Sequence, residues 1–168
     1  DVEIAVGLAL DRDLASGTNR QRPDSREDRW PTTPFRLQVA TEVHTPAINS
    51  LRERAYAAAG YFSLPDPRTV HRSTDSPSAI SLALMSGDAL AATARFTPAF
   101  TRQQAENVIE GDVDLAPHWF PTIVLCRGAT EPAFRGLGLM AFMAVLGVAI
   151  AKRAGFGSAT AVMYDGTP

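Results

Sequence analysis

Arg135, Gly136, Leu137 and Gly138 carry the chain's clearest chemical signal, a basic residue followed by two glycines one position apart. Glycine has no Cβ, so Gly136 and Gly138 can take left-handed backbone angles and bring main-chain atoms close to a ligand. From Leu139 onward, apolar residues recur at helical spacing. A helix opening there points its first, unbonded N–H groups and the positive end of its dipole back at the turn. That arrangement suits a pyrophosphate or another anion. Arg135 adds a fixed positive charge at the rim. The same four residues also fit an ordinary strand–turn–helix connection with a solvated arginine, so their surroundings decide.

Two other phosphate patterns do not fit. The Gly-Lys-Ser/Thr ending of the nucleoside triphosphate loop is missing, and Gly136, Gly138 and Gly147 lack the dinucleotide spacing. No acidic residue follows about twenty positions on to hold a ribose. What remains, Pro132-Ala133-Phe134-Arg135-Gly136-Leu137-Gly138-Leu139-Met140, resembles the signature of the GCN5-related N-acyltransferase superfamily. That signature is Arg/Gln-X-X-Gly-X-Gly/Ala, introduced by Pro-X-X-Arg-Gly. Every position matches except the last, where Met140 replaces a small residue. Residues 126–157 carry the match, and the order of elements extends it more weakly over residues 35–164. The resemblance implies an α/β (α+β) fold with a mixed central sheet and flanking helices. It also implies that Arg135, Gly136, Leu137, Gly138 and Leu139 bind the pyrophosphate of acyl-CoA, or the acyl-phosphopantetheine of an acyl carrier protein.

The chemistry implied is direct attack of an amine on a thioester. The protein must orient the acyl carbonyl, polarise it through backbone N–H groups and remove a proton from the amine. Leu125, Cys126, Arg127 and Gly128, at the end of a strand or on the loop after it, would supply the polarising N–H. Glu131 is the carboxylate closest in sequence, and Tyr164 is a candidate acid for the leaving thiolate. Glu110, Asp112, Asp114 and His118 lie on a loop that suits the acceptor side, although acids clustered on a loop are more often simply solvated. Cys126 reads as an apolar strand residue, since amine acylation needs no thiol nucleophile. The expected acceptor is a small-molecule amine or amino acid, and no metal is expected. Leu51-Arg52-Glu53-Arg54-Ala55-Tyr56 has the Leu-Arg-X-Arg-X-Tyr/Phe form of acyl-homoserine lactone and N-acyl amino acid synthases. That weaker resemblance, with Arg127, implies a carrier-protein donor. A solvated helix face is the plainer reading of Arg52 and Arg54. The alternative function is a domain of the same fold that binds coenzyme A or an acyl ligand without turnover, which Met140 and the lack of an obvious base favour.

The elements that would hold these residues are legible from residue 35 onward. Phe35, Leu37 and Val39 alternate with polar residues as a half-buried strand. Thr45-Pro46 reads as a cap and first helical position, followed by Ile48, Leu51, Ala55 and Ala58 at helical spacing and Gly60 as the stop. Residues 61–77 read as a loop. Residues 79–85 and 90–97 read as strands joined by Ser86-Gly87-Asp88. A short helix over 101–109, a connection over 110–121, a strand over 122–126 and a loop precede the glycine turn. A helix over 137–154 and a strand over 158–163 complete the order. Leu139, Phe142 or Met143, Leu146 and Ile150 form the helix's apolar stripe, and Lys152 and Arg153 suit its C-terminal dipole.

Composition permits such an enzyme. A chain of 168 residues is expected to hold one domain, and 45% hydrophobic with 20% charged residues is a globular mixture. A net charge of −2 gives no basic face for nucleic acid. Cys126 is the only cysteine, which excludes an intrachain disulfide and points to a reducing, cytoplasmic setting. No apolar run reaches the eighteen or so residues that span a bilayer. Residues 1–34 read as an arm or linker, with a period-two stretch at Val2, Ile4, Val6 and Leu8, and residues 35–168 as the acyltransferase-like domain. The superfamily continues past the last strand with a helix and two strands. The C-terminal part is therefore expected to be missing, and a homodimer partner is one way to cover the edge.

Overall fold

A computed structural model describes residues 4–5, 34–59, 78–109 and 114–161. One six-stranded sheet follows chain order. Its strands are β1 (Ile4–Ala5), β2 (Phe35–Val39), β3 (Ile80–Ser86), β4 (Ala89–Ala99), β5 (Thr122–Thr130) and β6 (Ser158–Ala161). Neighbours pair antiparallel from β1 to β5, and β6 runs parallel to β5. The helices are α1 (Thr45–Ala58), α2 (Arg102–Ile109) and α3 (Leu139–Arg153). This is the expected mixed sheet flanked by helices. No described helix is long and apolar enough to cross a membrane.

Gly87 makes the β3–β4 hairpin with φ 59°, the positive angle that a two-residue turn needs at its first central position. α1 starts earlier than Thr45-Pro46 suggests. A 3-10 turn over Glu42–His44 leads straight into it, and the Thr41 N–H donates to His44 Nδ1 at 3.1 Å. Thr45 thus falls inside the helix and donates its N–H to Glu42 O, and the N-cap position shifts upstream to His44, whose side chain makes no cap bond. The β5–α3–β6 crossover gives adjacent parallel strands, as the rule for such connections requires.

The two faces of the sheet differ in kind. Against one face, α3 closes an apolar core that includes Phe35, Leu37, Leu82, Leu84, Phe96, Ile123, Leu139 and Met143. The deepest α3 positions are Leu139, Met143, Gly147 and Ala151, each one helical turn from the next. Phe142, Leu146 and Ile150, placed on the stripe by spacing alone, flank that line. Gly147 sits at the closest approach, where a Cβ would run into the Phe96 ring. On the other face, α1 and α2 pack in two separate clusters. Leu51 and Ala55 meet Ala129, while Ala105 and Leu115 meet Ala99 and Val124. Between them, β4 presents Thr93, Arg95 and Thr97, all buried, on the face opposite Ala92, Ala94 and Phe96.

β5 departs from expectation. The strand does not end at Cys126 but continues to Thr130 through a bulge. Thr93 faces Ala129 and Arg95 faces Cys126, so β5 holds one more residue than β4 across this stretch. The extra residue breaks period-two alternation, which is why Arg127-Gly128 reads as a loop in the sequence. Gly60, residues 61–77, Glu110, Asp112, Tyr164 and most of residues 1–34 lie outside the described residues.

Candidate functional site

The glycine turn is built to present backbone. A single 3-10 turn over Pro132–Phe134 follows β5, with the Phe134 N–H donating to Glu131 O at 2.9 Å. Phe134 stands edge-on to Phe35, with ring centroids 5.9 Å apart, and Leu137 packs against the apolar core. These two anchors fix the chain before the glycines and between them. Gly136 lies at φ 81° and Gly138 at φ 73°, both in the left-handed region. Among the described residues, no atom lies within 4 Å of where a Cβ would stand on either. Gly138 is the N-cap of α3, with no side chain capping the helix and no acidic residue in its first turn. The first N–H groups of α3 thus face an open approach, with the dipole favouring negative charge.

Arg135 is exposed and reaches across to α1, where Nη2 donates to Ala55 O at 3.4 Å. Leu139 is buried beneath the turn, so only its backbone faces the approach. Met140 is half-buried, and its terminal methyl occupies the space that a Cβ on Gly128 would fill. The departure at position 140 therefore has a partner. A large side chain there is matched by the absence of one at Gly128, on the bulge.

Arg127 at the bulge takes φ 51°, the only positive φ of a non-glycine residue among the described ones. A non-glycine residue in that region needs support from its neighbours. Part of that support is a hydrogen bond from Arg52 Nε to the Arg127 carbonyl, at 3.2 Å. Arg52 projects from α1 and is 6% exposed, so it lies inside rather than on a solvated helix face. Burial pushes its guanidinium below the ordinary arginine range; Tyr56 acts the other way, and Arg95 and Arg127 add to the lowering. Cys126, half-buried beside them, packs against the α2 cluster. The sequence does not mark Arg95 as buried, because a polar residue in an alternating strand reads as solvated. The available signal was its setting, one charge in the small apolar run of residues 91–96.

Glu131 follows β5 directly, and its N–H donates to Ala91 O at 2.9 Å. Its carboxylate pairs with Arg54 Nη2 at 2.6 Å, tying α1 to the start of the glycine turn. The structure thus brings Arg52, Leu125, Cys126, Arg127, Gly128, Glu131 and the turn Arg135–Leu139 to one end of β5. Asp114 and His118 are exposed on the connection before β5.

Solved structures with this architecture include several acetyltransferases. An aminoglycoside N-acetyltransferase in complex with a coenzyme A bisubstrate analogue aligns at TM-score 0.57, with 12% identity over 79% of this chain and 82% of its own. An aminoglycoside 6'-N-acetyltransferase from Acinetobacter haemolyticus aligns at TM-score 0.55, with 15% identity over 78% of this chain and 81% of its own. A GCN5-related N-acetyltransferase from Ralstonia eutropha JMP134 aligns at TM-score 0.53, with 12% identity over 78% of this chain and 84% of its own. No protein-family model and no curated protein matches the chain. The sheet, the crossover and the glycine turn opening α3 together have the fold of the GCN5-related acetyltransferases.

Proposed function

We propose that this chain is an N-acyltransferase that moves an acyl group from acyl-CoA to the amine of a small molecule or amino acid. The observation that carries this reading is the pair of glycines at positive φ, open to solvent and leading into α3 beside the bulged end of β5. The site fits the donor's pyrophosphate through the unbonded N–H groups after Gly138 and the charge of Arg135. The bulge frees backbone groups near Arg127 and Gly128 from the regular ladder, and an N–H there would polarise the thioester carbonyl. In the reaction, the amine lone pair forms the new C–N bond, the C–S bond breaks and the leaving thiolate takes up a proton. The proton lost by the amine passes to a base. Glu131 would have to release Arg54 to act as that base, so a bound water is the simpler first acceptor.

An acyl carrier protein offers the same phosphopantetheine arm, but the buried Arg52 is not a surface that such a partner would dock on. Acyl-CoA is therefore the preferred donor. The test is calorimetry with coenzyme A, followed by thiol release from acetyl-CoA across a panel of amines. Micromolar binding with amine-dependent thiol release is expected. No binding at millimolar coenzyme A would sink the reading. Binding without thiol release across the panel would select the non-catalytic alternative, which the engagement of Glu131 by Arg54 favours.

A further inference from the structure

The side chains of the polar strip between α1 and α2 are not called on by the donor reading, and their chemistry is specific. Arg52 and Arg95 are 6% and 5% exposed, and Arg127 is half-buried beside them at the bulge. Arg95 and Arg127 are both close enough to act on Arg52, and no carboxylate is among the described groups that do. Arg52 Nη2 is buried with no hydrogen-bond partner among the described residues, and the same holds for the hydroxyl of Thr97. Thr97 lies two residues after Arg95 on β4 and so on the same face. A buried guanidinium with an unused N–H carries a desolvation cost that an anion would relieve. Its planar fork matches a carboxylate in two-point geometry.

We propose that Arg52, Arg95, Arg127 and Thr97 form a carboxylate-binding site, and that the amine acceptor is therefore a carboxylate-bearing amine such as an α-amino acid. This rests on the acyltransferase reading above and names its acceptor class. The placement supports it, because Arg52 holds the carbonyl of Arg127 on the same bulge that would polarise the thioester. An α-amino group sits one carbon from its carboxylate, so anchoring the carboxylate beside the bulge delivers the nucleophile to the reacting carbonyl. Half-buried Arg127 forms the accessible side of the site.

The experiment is a nuclear magnetic resonance titration of the intact chain, following the arginine Nε–Hε signals with pooled α-amino acids and then with the matching α-amino amides. The acids should move the Arg52, Arg95 and Arg127 signals while exposed Arg36 stays still. The amides should bind about tenfold or more weakly, having lost the charge-assisted pair. Arg52→Lys should weaken the response at Arg127 to the acids while the backbone amide spectrum away from the bulge stays that of the parent. Silence across the acid pool, equal response to acids and amides, or an equal response to inorganic phosphate would overturn the proposal. If coenzyme A binds and the acids do not, this inference falls alone. If the acids bind and coenzyme A does not, the acyltransferase reading falls and the carboxylate site stands.

Discussion

At Gly128 and Met140, two residues divide a space that one side chain must fill. A Cβ at position 128 would collide with the Met140 methyl, yet that methyl ends a flexible chain that can retreat. Gly128→Ala should therefore cost about 1 kcal/mol, at the mild end of overpacking. In a Met140→Ala background the same change should cost little or nothing, a coupling of about 0.5 kcal/mol or more by double-mutant cycle in urea. Strict additivity would show that the two residues do not share the space. Arg54 and Glu131 make the opposite case. Their contact is short, at 2.6 Å, but Arg54 is 53% exposed. Arg54→Ala should lower stability by less than about 1 kcal/mol, as exposed ion pairs do. A larger loss in chemical denaturation would mean that the tether between α1 and the glycine turn holds more than the pair itself.

At the scale of elements, α3 depends on one small residue. Gly147 faces Phe96, which is 3% exposed and walled in by the core, so the ring cannot withdraw as a methionine can. Gly147→Ala should cost about 1–3 kcal/mol, and the urea midpoint should fall with an unchanged slope. An unchanged midpoint would mean that α3 shifts freely over the sheet. Elements with undisturbed periodicity were legible in the sequence. β2 buries Phe35 and Leu37 at alternate positions, although Val39 at its end is exposed, and the β3–β4 hairpin announces itself through Gly87. The second half of β5 was not legible, since the bulge puts Arg127 and Gly128 where alternation expects one residue. The glycine turn was readable because Gly136 and Gly138 meet a backbone demand that few other residues tolerate. Arg95 and the inward direction of Arg52 were hidden, because charge in a sequence does not say which face carries it. That depends on where α1 and α2 leave a gap, a property of packing.

For the whole molecule, the proposed donor binding would be linked to folding through the same turn. A ligand that binds only the folded chain at a hundred times its dissociation constant adds about 2.7 kcal/mol of stability. For a domain of this size each kcal/mol moves the melting temperature by about 2–4 °C, so saturating coenzyme A should raise it by roughly 5–11 °C. The double variant Gly136→Val, Gly138→Val separates the two contributions. Both positions hold positive φ with open space around a Cβ, so valine brings backbone strain of about 1–3 kcal/mol each with no clash at its Cβ. The variant should melt lower than the parent without ligand, since the strain falls on the folded state alone. It should also show no upward shift with coenzyme A, because the β-branched side chains stand where the phosphates must approach. A variant that melts lower yet still rises by the parent's full increment would place the donor somewhere other than this turn. A variant that melts at the parent's temperature would mean that the turn relaxes to ordinary angles at little cost.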